Sequence, residues 1–194
     1  MGLRDILTGR HEVKGPAPDH MFAITTAYVT LEAEHQISPA GKAAIVFQAL
    51  ATSEFEATLK EMEELVTATG SESATSVSSE NDSYGYRWMV LHNPDGAPSI
   101  EDLAVGINAV SGSIETAGHG ERLLCAVFAF TDAQKRPLYF IYNYKRGLWY
   151  PFVPAPGEQQ RSTERELQIK AQMGSELPIE PELERWFPLW GIPI

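Results

Sequence analysis

The sequence predicts an α+β fold: an antiparallel sheet with helices packed mainly on one face, in the order ββ-α-ββ-α-βββ-α. Three observations carry that prediction. Residues 120–130 and 138–152 are long apolar and aromatic runs separated only by short polar turns, the pattern of a meander of strands. Two other segments combine capping residues with apolar side chains at helical spacing. The chain is 43% hydrophobic and 21% charged, ordinary for a protein with a packed core and against disorder.

Taken in order, residues 1–20 read as a lead-in. Leu3, Ile6 and Leu7 fall on one side of a short helix, which Gly15-Pro-Ala-Pro18 ends. Docking on the domain is favoured over a membrane-surface anchor, because Arg4, Arg10 and Lys14 are offset by Asp5, Glu12 and Asp19. Segments 22–31 and 42–50, rich in β-branched and aromatic residues, read as a strand pair. Ser53 and Glu56 then offer a capping box, with Phe55, Leu59, Met62 and Val66 on one helix face. The opposite face carries Glu54, Glu61, Glu63 and Glu64 and reads as solvated, not as an acid/base or metal site.

The Ser/Thr-rich stretch 70–83 reads as a loop or a polar edge strand around Val77, and 84–92 as a firmer strand. Asn93-Pro-Asp-Gly96 has turn chemistry. A second helix is capped by Ser99 with Asp102 at the box position, carries Ile100, Leu103, Ile107, Val110 and Ile114 as one stripe, and stops at Gly118. After the meander, which turns at Lys145-Arg-Gly147, a third helix spans about 163–173, with Thr163 and Glu166 as another capping box. The chain thus divides into a lead-in (1–20), one α+β domain (21–176) and a Pro/Trp-rich tail packed on the domain (177–194).

Charge and cysteine usage narrow the function. A net charge of -11 repels phosphate backbones, which argues against nucleic acid. The single cysteine, Cys125, sits among apolar neighbours and suits a reducing compartment. No apolar run approaches the roughly 20 residues that span a bilayer, and the start lacks a signal-peptide apolar region. The expected location is cytoplasmic, with membrane contact at most peripheral at the inner face.

No chemistry-bearing constellation stands out. The five histidines are scattered and Cys125 has no cysteine partner, so neither metal nor cofactor is expected. His119, between Gly118 and Gly120, reads as a helix-end turn and has no nucleophile to serve. Cys125 has no neighbouring cation to make a thiolate, so it reads as a core thiol. No catalytic residue is expected. The candidate partner-binding residues are Lys145, Arg146 and Trp149 at the basic hairpin and Trp186 and Trp190 in the tail, since aromatic and arginine side chains are favoured at interface hot spots. The alternative is a small-ligand-binding or hydrolytic domain with a pocket between sheet and helices, around His92, Asp95 and His119.

Five segments share a resemblance: Gly2-Leu-Arg-Asp, Tyr84-Gly-Tyr-Arg-Trp, Gly120-Glu-Arg-Leu-Leu-Cys-Ala-Val-Phe, Tyr142-Asn-Tyr-Lys-Arg-Gly and Glu184-Arg-Trp-Phe-Pro-Leu-Trp-Gly. In this order, over almost the whole chain, they resemble the PspA-associated protein family PspAB; the 70–83 stretch matches least. The resemblance implies an accessory role in a phage-shock-like envelope stress system of bacteria and archaea. It implies a PspA-like protein or an HtpX-like membrane protease as partner, and it brings no catalytic residues with it.

Overall fold

The computed structural model describes residues 18–50, 52–69, 75–82, 84–94 and 97–194. The lead-in helix with Leu3, Ile6 and Leu7, the side chains of Glu54 and Val66, and Asp95-Gly96 of the turn lie outside the described residues. The elements run α1 (Pro18–Phe22), α2 (Ile24–His35), β1 (Ser38–Phe47), α3 (Ser53–Thr69), β2 (Ser76–Asn81), β3 (Arg87–His92), α4 (Ile100–Thr116), β4 (Leu123–Thr131), β5 (Pro137–Asn143), β6 (Leu148–Phe152) and α5 (Thr163–Met173). All six strands join one antiparallel sheet, in the order β2-β3-β1-β4-β5-β6. The α+β class and its antiparallel sheet are as the sequence predicts.

Because side chains alternate along a strand, the sheet has two separate apolar faces. Ala43, Ile45 and Phe47 of β1 and Phe128 and Phe130 of β4 face the helical layer, where Ile24, Phe55, Leu103 and Ile107 meet them. Ala44, Val46, Val127 and Ile141 point the other way, and Trp186, Leu189 and Trp190 of the tail cover them. The chain thus closes its second core with its own last segment.

One element departs from the prediction. Residues 24–35 form a helix, not the first strand of a pair. Ile24, Thr25, Thr26, Val29 and Thr30 supplied the strand signal, yet strand propensity is a weak prior beside packing. Ile24, Ala27 and Leu31 recur at helical spacing and are all buried. Gln36 ends the helix in the left-handed region (φ 55°), and the Ile37 N–H bonds back to the Leu31 carbonyl at 3.0 Å.

The caps also shift. The Thr52 hydroxyl, not that of Ser53, accepts the Phe55 N–H, and Glu56 accepts from Arg87 at 2.8 Å instead of completing a box. Ser99 does cap α4, accepting from the Asp102 N–H at 3.1 Å. Its C-terminus closes over Gly118 (φ 81°) through a His119 N–H bond to the Ile114 carbonyl. On α5 the Thr163–Glu166 box is not made: Glu166 turns inward and accepts from Arg161 and the Val153 N–H.

The β4–β5 turn is organised by a buried carboxylate. Asp132 accepts the N–H groups of Gln134 and Arg136 on one oxygen and the guanidinium groups of Arg136 and Arg165 on the other, at 2.6 to 2.9 Å. Burial alone raises its pKa, but the Arg136 and Arg165 donors outweigh it and hold the carboxyl far below its ordinary value. A depressed folded pKa stabilises the fold above the unfolded value, roughly 4, and that contribution fades as pH falls through the folded value. Asp132→Asn should therefore lower the urea midpoint at pH 7 and flatten its decline toward pH 3. An unchanged acid limb would assign that decline to other groups.

Candidate functional site

Where the tail leaves the second face uncovered, a groove of about 510 Å³ remains. The register explains its position: Arg87 pairs with Phe47, Phe47 with Leu123, and Cys125 with Asn143. The start of β3, the end of β1, the start of β4 and the end of β5 thus share one end of the sheet. The groove crosses these four strands, a distance of roughly 14 Å at the usual strand spacing. Val46, Trp88, Leu124, Cys125 and Tyr150 line it from the sheet, and the 187–190 segment supplies another wall.

Its far rim is built by one carboxylate. Asp82 accepts the N–H groups of Tyr84 and Tyr86 on Oδ1 at 2.8 and 2.9 Å, and the Trp88 indole N–H on Oδ2 at 3.0 Å. Gly85, at φ 86°, lets the chain turn between the two tyrosines. Tyr84 is 62% exposed, Tyr86 38% and, across the groove, Phe187 57%. Seven large apolar side chains are exposed among the described residues, and these three all line the groove. Clustered exposure of that kind marks a contact surface, whereas single exposed residues do not.

The tail wall is anchored by tyrosines. Tyr150 donates its hydroxyl to the Phe187 carbonyl and Tyr139 donates to the Ile194 carbonyl, both at 3.1 Å. Burial pushes the Tyr150 pKa well above its ordinary value, so the hydroxyl keeps its proton for this bond. Trp186 stacks on Tyr150 and Trp190 meets Phe152 edge to face.

Of the sequence-predicted contact residues, the structure brings Lys145 and Trp190 to the groove. Lys145 is exposed, and its ammonium has no ion-pair partner among the described residues. Trp149 is a correction: it is fully buried on the helical side, because the β5–β6 register sets it opposite Tyr142. Its indole N–H donates to the His20 carbonyl at 2.7 Å. Trp186 is likewise buried, donating its indole N–H to the Glu180 carbonyl, and has no surface to offer. Arg146 is engaged with Glu180 at 2.8 Å and with Glu182 at 3.4 Å. It clamps the hairpin to the tail, so charge reversal there would break the fold's own contact before testing any interface.

The two histidines of the alternative reading lie at opposite ends of α4. His92 ends β3 beside the start of α4, where Asn93 accepts the Ser99 N–H. His119 lies beyond the other end of α4, its ring against Phe55 at 5.1 Å. The 17 residues of α4 separate the two histidines by roughly 25 Å of helix, and Asp95 lies outside the described residues. On the helical side, the cavity beside Tyr142 and Tyr144 measures about 50 Å³, room for a water or two.

Burial pushes the Cys125 thiol up to about 12, so it is not a thiolate at neutral pH. Asp82 already accepts three N–H donors. Sequence reasoning missed Asp82, Tyr84, Tyr86 and Phe187, although Asp-Ser-Tyr-Gly-Tyr is readable as a carboxylate-capped turn. No helix among the described residues is long and apolar enough to cross a membrane. No curated protein and no solved structure matches the chain. The family model PspAB, PspA associated protein B, matches residues 1–194, and the chain belongs to that family.

Proposed function

We propose that the chain is a non-enzymatic, cytoplasmic adaptor or regulator in a phage-shock-like envelope stress response, and that it docks a PspA-type protein on the aromatic groove. One observation carries this reading: exposed Tyr84, Tyr86 and Phe187 converge on a groove whose rim holds Lys145, which has no ion-pair partner among the described residues. Aromatic anchors beside a cation are the make-up of an interface hot spot, and the family description supplies association with PspA. An HtpX-type membrane protease is the second partner to test.

Purified chain should bind the PspA-type protein of its own host in a titration. Phe187→Ala should weaken binding about tenfold or more, as loss of an aromatic anchor does. Lys145→Glu should weaken it about tenfold and alter its salt dependence, as a rim charge does. Equal affinity for both variants would remove the groove from the interface. Failure of the wild type to bind either partner would remove the adaptor reading.

A further inference from the structure

We propose that the same groove is a binding site for a single-chain amphiphile with a carboxylate head, its alkyl chain along the floor and its head at Lys145. This goes beyond the adaptor reading and does not rest on it. The groove's volume, about 510 Å³, falls within the roughly 300–1,000 Å³ of small-ligand sites. Its floor and tail wall are apolar at Val46, Trp88, Leu124, Leu189 and Trp190. Such a surface suits a chain of methylenes, each of which tightens binding about fourfold when buried.

The polar groups select the head. Both oxygens of Asp82 are occupied by the donors of Tyr84, Tyr86 and Trp88. The Asn143 side-chain oxygen accepts the N–H groups of Lys145 and Arg146, at 3.0 and 3.3 Å, and its amide N–H₂ makes no hydrogen bond among the described residues. The Tyr150 hydroxyl is given to the Phe187 carbonyl. At the Asn143 end an incoming head therefore meets donors, an amide and an ammonium, and an ammonium lacking an ion-pair partner among the described residues favours an anion. The filled Asp82 carboxylate stands at the opposite end, in the β2–β3 turn, and directs the anion toward Lys145.

The test is a titration of the purified chain with dodecanoate, kept below its micelle-forming concentration. Tryptophan fluorescence reads it, since Trp88 and Trp190 line the groove, and calorimetry gives the stoichiometry. One saturable site is expected, with octanoate weaker and dodecyltrimethylammonium at least tenfold weaker. Lys145→Glu should weaken dodecanoate about tenfold, and Leu124→Glu, which puts a charge in the floor, should abolish it while the thermal transition stays cooperative. Equal binding by wild type and both folded variants, or an equal response to the cationic amphiphile, overturns the site. Absence of a saturable signal from folded wild type overturns it as well. If the PspA-type protein still binds in a Lys145-dependent way in that case, the groove serves a protein segment only and the adaptor reading survives alone.

Discussion

Trp149→Ala is expected to cost about 3–5 kcal/mol of folding stability, a large share of the roughly 5–15 kcal/mol available to a domain. The side chain is fully buried, its ring 5.6 Å from that of Phe128 and 5.2 Å from that of Tyr142. Truncation leaves a cavity in the middle of the helical-side core and strips the His20 carbonyl of its indole donor. The backbone of Trp149 also bonds Pro178 and Glu180, and those bonds survive in alanine. Trp149→Phe keeps most of the packing and loses the N–H, so about 1 kcal/mol should separate it from wild type. Urea unfolding measures both, and amide exchange at residues 20–22 should rise in each. A midpoint for the alanine variant within experimental error of wild type would show that the indole does not hold α1 to the sheet.

Glu166→Ala is the second large effect, about 3 kcal/mol or more. The carboxylate is fully buried, accepts the Val153 N–H at 2.8 Å, and pairs with the Arg161 guanidinium at 2.8 Å. Removing one partner of such a pair leaves a desolvated charge and an orphaned donor, which costs more than the intact pair contributes. Arg161 also donates to the Trp186 carbonyl at 2.7 Å, so the loss should reach the tail and the second core. The double variant Arg161→Ala/Glu166→Ala should be little worse than Glu166→Ala alone, since the stranded cation is then gone. Strictly additive losses in urea unfolding would mean that the two side chains act independently.

Most of the sheet was legible from residue types alone. The runs around Val127 and Ile141 are apolar on both faces, and the turns that follow them carry Asp132 and Asn143, whose side chains close those turns. The α4 stripe was legible for the same reason, with Ser99 marking its start. Helix α2 was misread because its β-branched residues outweighed a helical spacing that was also present at Ile24, Ala27 and Leu31. Trp149 was misplaced because proximity to Lys145 and Arg146 in sequence says nothing about which sheet face a side chain takes; the register with Tyr142 decides that. The groove could not be read at all as a unit. Its parts come from β1, the β2–β3 turn, β3, β4, the β5–β6 hairpin and the tail, and only the folded chain brings Tyr84 and Phe187 to one groove.

The bond between the Trp149 indole and the His20 carbonyl spans 129 residues, and this has a consequence for biosynthesis. At roughly 5–20 residues per second, α1 leaves the ribosome about 6 to 26 seconds before its partner in β6 has been made. During that interval Met21 has no Tyr144 to pack against, and the strand that will bind α1 does not exist. Closing so long a loop also carries an entropic cost that local helices do not bear. The docking of α1 on β6 therefore waits until the β5–β6 hairpin has been made, and the 178–180 segment then joins the same residue through the Trp149 backbone.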